Sequence, residues 1–227
     1  MFVLDADYRK APEHPFPLPL QDVEDVLRWV GTSSPGRLID TQKVALSGFS
    51  AGAELALVAS SVLRTTLLRD VELDIKAVVA FYPETDLSLP LGEKKVVQDP
   101  VRPRQGWTVD FFHECYVPDV RDRADPAVSP SKAGEGEFPE WVVMVTCGGD
   151  VFSTEALELA GRLRDWRGRN GGVEGEEKGG IVVRNLEGMA HGFDKGCERG
   201  TREWEVREEV YGDVVGVLKG VFGEGER

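Results

Sequence analysis

The chain is short of cysteine, of histidine and of positive charge, and each shortage removes a class of explanation. Only three of its 227 residues are cysteines, Cys115, Cys147 and Cys197. An odd, widely spaced trio supports neither a disulfide scaffold nor a zinc cluster, and a reducing compartment is the default. Lys and Arg number 27 against 40 Asp and Glu, a formal charge of −13. That deficit argues against a broad nucleic-acid surface, which needs clustered cations to displace counterions. It also disfavours anionic membranes. Long apolar runs are missing too. The longest, Ala77 to Tyr82 and Trp141 to Val145, fall far short of the roughly 20 residues that a bilayer span needs. The start, Met1-Phe2-Val3-Leu4-Asp5, has no basic segment leading into an apolar one, so it does not read as a signal peptide. The expected location is cytoplasmic.

What is present suits a folded domain. The chain is 41% hydrophobic, more than a disordered chain carries. Short apolar runs alternate with helical periodicities, the pattern of an α/β protein with a mostly parallel sheet flanked by helices. Strands are expected at Val44–Leu46, Ile75–Phe81, Trp141–Thr146 and Ile181–Arg184, with Phe2–Asp5 as the end of another. Helices are expected over Leu20–Val30, Ser50–Leu63, Thr108–Cys115, Glu155–Trp166 and Trp204–Val221. Pro12, Pro15 and Pro17 keep Ala11–Pro17 out of a helix. Arg167–Gly180 reads as a solvated loop. The whole chain, 1–227, reads as one domain, with Pro83–Pro139 (83–139) as an insertion placed like a lid or cap.

The sharpest local signal is Gly48-Phe49-Ser50-Ala51-Gly52. It follows a strand and opens a helix, the setting that a G-x-S-x-G elbow requires. So tight a turn holds its serine in a strained conformation, and small flanking residues let neighbouring backbone approach. Ser50 Oγ then projects from the carboxyl end of the sheet. The Ala51 backbone N–H, at the helix N-terminus, can donate to a developing oxyanion.

A serine hydroxyl is a poor nucleophile until a base takes its proton. Three histidines are available. His14 sits in the proline-rich segment and His113 inside a helix, both as structural or surface residues. His191 lies in Gly188-Met189-Ala190-His191-Gly192-Phe193, a glycine-flanked loop after the last strand. Such a loop can present an imidazole to the carboxyl edge of the sheet. The third member should be an acid lying between the two in sequence. Asp150 follows the strand Trp141–Thr146 and precedes a helix, where Asp also serves as an N-terminal cap. Asp86, after the strand ending at Phe81, is the rival. The order Ser50, Asp150, His191 gives spacings of 100 and 41 residues (150 − 50 and 191 − 150).

Asp7-Tyr8-Arg9-Lys10-Ala11-Pro12-Glu13-His14-Pro15-Phe16-Pro17 resembles the D-Y-R-x-A-P-E-H-x-F-P segment of the hormone-sensitive-lipase-like esterases, the fold-3 group of α/β-hydrolases. Gly48 to Gly52 resembles their G-D-S-A-G elbow, with Phe49 where Asp is frequent. Asp125-Pro126 and Ser129-Pro130 resemble their D-P and S-P turns. Asp150 to Glu155 is similar to their D-x-L-x-D-E segment, from which Phe152 and Thr154 depart. Gly188 to Phe193 resembles G-x-x-H-G-F. The resemblance implies an α/β-hydrolase fold and a Ser50–His191–Asp150 triad. It implies cleavage of carboxylic esters with short or medium acyl chains, a small-molecule substrate, and no metal or organic cofactor. Amides and carbamates, cleaved by the same machinery, form an alternative substrate class. Trp107, Phe111, Phe112 and Tyr116 could line an acyl pocket or simply pack a helix onto the sheet.

One family element is missing. The H-G-G-G loop, whose glycine amides supply most of the family's oxyanion hole, has no counterpart here, and the chain begins six residues before Asp7. The family's first strands have no place either. The resemblance therefore implies the carboxyl-terminal part of a larger hydrolase, with activity reduced by the absent loop. The alternative is a catalytically inactive, ligand-binding pseudo-hydrolase. The strand absent between Phe2–Asp5 and Val44–Leu46 would leave a gap in the sheet or force those two to pair.

Overall fold

Ile75–Phe81 forms strand β2, and its alternate side chains face two different helical layers. In this computed structural model, which describes residues 2–33, 39–66, 69–97, 106–170 and 179–223, β2 lies in a four-stranded sheet. The other strands are β1 (Val44–Phe49), β3 (Trp141–Cys147) and β4 (Gly180–Leu186), in the order β1-β2-β3-β4. All three pairings are parallel. Parallel neighbours need crossovers, and helices supply them. These are α2 (Ala51–Val58) after β1, α4 (Ser153–Asn170) after β3, and α5 (Arg202–Phe222) after β4. Helix α1 (Leu18–Ser33) precedes β1, and α3 (Gly106–Tyr116) lies between β2 and β3.

The apolar runs are continuous because the two central strands are covered on both faces. Val78, Ala80, Val142 and Met144 pack with Leu57 of α2 and with Leu159 and Leu163 of α4. Val79, Phe81, Val143 and Val145 face the other way, onto Val210 and Val214 of α5. Val206, Val217 and Leu218 pack beside them, so this side of α5 is its buried face. Helix α1 joins the first layer by packing Leu20 and Leu27 against Leu55, Val58 and Leu63. Thr201 starts α5, its hydroxyl accepting the Trp204 N–H at 3.3 Å, and Gly223 ends it at φ 71°.

The helix expected over Ser50–Leu63 changes character midway. Ala59–Leu63 is a π-helical stretch that continues α2. There the Ser60 and Ser61 hydroxyls both donate to the Leu57 carbonyl, at 3.1 and 2.7 Å. Such side-chain bonds compete with the regular ladder and favour a widened turn.

Two expectations need correction. Phe2–Asp5 is not a strand. A strand requires a ladder partner, and none lies beside it among the described residues; Phe2 and Val3 are exposed at 66% and 78%. It is not paired with β1, which forms the sheet edge among the described residues. Arg167–Asn170, expected at the start of a solvated loop, instead continue α4; the rest of that stretch, 171–178, lies outside the described residues.

Between β2 and β3 the described residues hold α3 and four 3₁₀ turns. Leu87, Val117 and Val128 form a small apolar cluster there with Phe16 and Tyr116.

The N-terminal segment is tied to α1 by Arg9. Its guanidinium and backbone N–H donate to the Asp22 carboxylate, and these bonds hold Asp22 at about 2, below its ordinary value. A depressed carboxyl stabilises the fold above its unfolded value near ~4 and loses that contribution as pH falls through the folded one. Thermal unfolding of the wild type and of Asp22→Asn should differ above about pH 4 and converge as pH falls towards 2.

Candidate active site

The carboxyl ends of the four strands carry the chemistry. At the end of β1, Gly48-Phe49-Ser50 turns sharply into α2. Ser50 stands at φ 53°, ψ −120°, outside the regular regions for a side-chain-bearing residue. The turn is fixed from both sides. The Ser50 N–H donates to the Phe81 carbonyl at 2.9 Å, and the Ser50 carbonyl accepts from Ala53 and Glu54 in α2. Ala51 is the first helical residue, where a backbone N–H has no intrahelical acceptor.

The two glycines of the motif are not equivalent. A Cβ at Gly48 would lie 2.0 Å from the Gly52 carbonyl oxygen, whereas one at Gly52 would meet nothing within 4 Å. Close approach requires only the first to be glycine. Phe49, where the family often has Asp, stacks on Phe81 with centroids 4.5 Å apart and also meets Tyr82 and Tyr211. Lys195 Nζ lies 3.8 Å from the centre of its ring.

Ser50 Oγ is 2.8 Å from His191 Nε2, and His191 Nδ1 is 2.6 Å from Asp150 Oδ2. The three residues singled out from the sequence thus form one hydrogen-bonded chain drawn from three segments. Asp150 is buried and follows β3. Its Oδ1 accepts the Phe152 N–H at 3.3 Å, and its backbone carbonyl accepts the N–H and hydroxyl of Ser153, the first residue of α4. It thereby supports the start of the helix while facing the imidazole. Asp86 lies elsewhere, paired with Lys132 at 2.6 Å and bonded to Ser88. His113 is buried against Glu84 at 2.9 Å. His14 sits in a turn, its N–H donating to the Lys10 carbonyl.

Two rings hold the imidazole from opposite sides of the sequence. Tyr82 meets it edge-on at 4.8 Å and Phe152 at 5.6 Å. Neither stood out in the sequence. Phe152 did occupy a departure from the family pattern, the one available signal. Behind Phe152 lies a buried charge cluster, with Lys94 Nζ 4.9 Å from the ring centre. Lys94 also pairs with Glu84 at 2.8 Å and Glu155 at 2.6 Å, and Glu155 accepts the N–H groups of Thr85 and Asp86. Burial opposes ionisation of Glu84, but His113 and Lys94 outweigh it and keep its carboxyl below the ordinary value. Burial, reinforced by Glu84, pushes the Glu54 carboxyl well above its ordinary value.

The aromatic residues of α3 divide. Tyr116 is packed edge-on against Phe16 at 6.3 Å, whereas Phe111 and Phe112 are exposed at 50% and 61%. Those two neither pack onto the sheet nor line an enclosed pocket. The side chain of Trp107 lies outside the described residues. No helix among the described residues is long and apolar enough to cross a membrane.

A serine on a strained turn, an imidazole at hydrogen-bond distance and a buried carboxylate behind it form a group able to transfer protons to and from a nucleophile. Residues 1–194 match the alpha/beta hydrolase fold family, and the chain belongs to it, in its fold-3 group. The carboxylesterase NlhH of Mycobacterium tuberculosis is 34% identical over 137 residues, 59% of this chain and 40% of that protein. The gibberellin receptor GID1C of Arabidopsis thaliana is 30% identical over 199 residues, 81% of this chain and 50% of the receptor. An ester-hydrolase from the metagenome of Lake Arreo superposes with a TM-score of 0.73 at 27% identity, covering 96% of this chain and 62% of that one. The chain spans about half the length of these curated relatives.

The contrast between the glycines is testable. Gly48→Ala should lower stability by about 1–3 kcal/mol through overpacking. Gly52→Ala, in the first turn of α2, should be neutral or raise it by up to about 1 kcal/mol. Urea unfolding of the two variants beside the wild type measures both.

Proposed function

We propose that this chain is the part of a carboxylester hydrolase that carries its nucleophile, base and acid. The observation that carries the reading is the continuous chain Ser50 Oγ–His191 Nε2 (2.8 Å) and His191 Nδ1–Asp150 Oδ2 (2.6 Å) on a serine at φ 53°.

In this reading His191 Nε2 takes the Ser50 hydroxyl proton while Oγ bonds to the ester carbonyl carbon. Asp150 holds the imidazole in the tautomer that leaves Nε2 free to accept, and stabilises its cation. The Ala51 N–H donates to the oxyanion of the tetrahedral intermediate. Collapse breaks the bond to the alcohol, which takes the proton from His191 and leaves an acyl-Ser50 ester. Water, deprotonated by His191, then cleaves that ester and returns the serine. The steps need no metal or redox group. Segment 83–139 serves as a cap over this site, within a single domain. Substrates are esters with short or medium acyl chains. The sequence has no H-G-G motif, so Ala51 is the one oxyanion donor identified, and loss of a donor costs about 10²–10³ in rate. The protein therefore turns over slowly unless further donors come from outside this chain.

Hydrolysis of p-nitrophenyl acetate and butyrate, compared with Ser50→Ala, tests the reading. The substitution should lower kcat by about 10³-fold or more and abolish labelling by a fluorophosphonate. Ester cleavage that survives Ser50→Ala overturns the assignment. A folded wild type that is neither active nor labelled supports the ligand-binding alternative. Faster turnover of an aryl formamide or carbamate than of either ester would reassign the substrate class.

A further inference from the structure

The loop bearing His191 carries a second buried acid that the proposed reaction does not use. Asp194 lies three residues beyond the imidazole, with its side chain 1% exposed. Its Oδ1 accepts the Tyr82 hydroxyl at 2.7 Å and its Oδ2 accepts the Tyr211 hydroxyl at 2.6 Å. One carboxylate therefore joins the loop to the end of β2 and to the middle of α5. The arrangement is built around an anion. Burial raises Asp194, but the Tyr211 and Tyr82 hydroxyls and Lys195 outweigh it and hold the carboxyl below its ordinary value. Both phenols are pushed above theirs, by burial first and then by the carboxylate they donate to.

Tyr82 makes this more than a structural fastening. Its backbone has a positive φ of 40°, and its N–H donates to the Val145 carbonyl at 2.6 Å. The ring that reaches Asp194 through its hydroxyl is the same ring that meets the His191 imidazole edge-on at 4.8 Å. Asp150 and Ser50 hold the two ring nitrogens, but these two contacts still leave the imidazole free to tilt about the line joining them. The Tyr82 wall limits the tilt, and Asp194 fixes the wall relative to the loop.

We propose that Asp194 is a positioning residue, acting through the Tyr82 hydroxyl to hold the His191 imidazole in line between Asp150 and Ser50. The proposal rests on the hydrolase reading for its kinetic consequence, but its geometric content stands apart from activity.

The variants are Asp194→Ala, which leaves both hydroxyls without an acceptor, and Asp194→Asn. An asparagine can accept from one phenol through Oδ1 and donate to the other through its amide, so it preserves the span. Asp194→Ala should lower kcat for p-nitrophenyl butyrate on the order of tenfold to a hundredfold, the scale of a displaced catalytic group, with KM within about twofold. Asp194→Asn should recover most of the loss. A readout independent of turnover is the downfield proton of the His191 Nδ1–H···Asp150 hydrogen bond, assigned by its absence in His191→Ala. It should broaden or vanish in Asp194→Ala and return in Asp194→Asn. An unchanged kcat and an unchanged resonance in folded Asp194→Ala would overturn the proposal. So would equal losses in the Ala and Asn variants. If Asp194→Ala does not fold, Tyr82→Phe, which keeps the ring and removes one hydroxyl, takes its place with the same expected and overturning results. A wild type inactive on esters but showing the resonance, lost in Asp194→Ala, would separate failure of the hydrolase reading from failure of this one.

Discussion

Much of this molecule depends on how strand β2 ends. Its last carbonyl, that of Phe81, accepts the Ser50 N–H, and the next residue, Tyr82, donates its own N–H to Val145. The parallel ladder thus continues one step past the strands into the two turns that bear the nucleophile and its neighbours. A backbone group at the end of a buried strand must find a partner. Here the partners are supplied by the elbow and by β3, so burial of the sheet and placement of Ser50 are one requirement. The register carries it across the sheet: Phe49 is paired with Phe81, and Phe81 with Val145.

The balance of charge behind the site follows the same economy of position. Lys94 pairs with two largely buried glutamates, and Glu155 also anchors the backbone that leaves β2. A buried ammonium tolerates this only with all its partners in place; removing one side of such a group typically costs about 3–5 kcal/mol. The cluster therefore fixes the segment after β2 against the start of α4, and Phe152 relays that rigidity to the imidazole.

The elements of the described sheet and the hydrogen-bonded trio were legible in the sequence for physical reasons. Ile75–Phe81 is a run too short and too apolar for a surface helix. Gly48 to Gly52 is a turn whose steric demand is written in its residue sizes. His191 is the one histidine in a glycine-flanked loop after a strand. What escaped reading depends on partners distant in sequence. Phe2–Asp5 has strand-like composition, but composition cannot supply a ladder. The π-helical turn arises from two serines bonding the same carbonyl. Phe111 and Phe112 sit on the exposed side of α3, which their sequence neighbours did not reveal. The Tyr82–Asp194–Tyr211 contact joins residues 112 and 17 positions apart, with no local signature.

Phe49 replaces a polar residue frequent at its position, and the consequence reaches beyond the elbow. Its ring belongs to one stack with Phe81, Tyr82 and Tyr211, capped by Lys195 from the histidine loop. Opening of α5 would withdraw Tyr211 from that stack and take from Asp194, in the base loop, one of its two phenol donors. The packing around the nucleophile turn and the base loop thus rests partly on a helix that contributes no reacting atom.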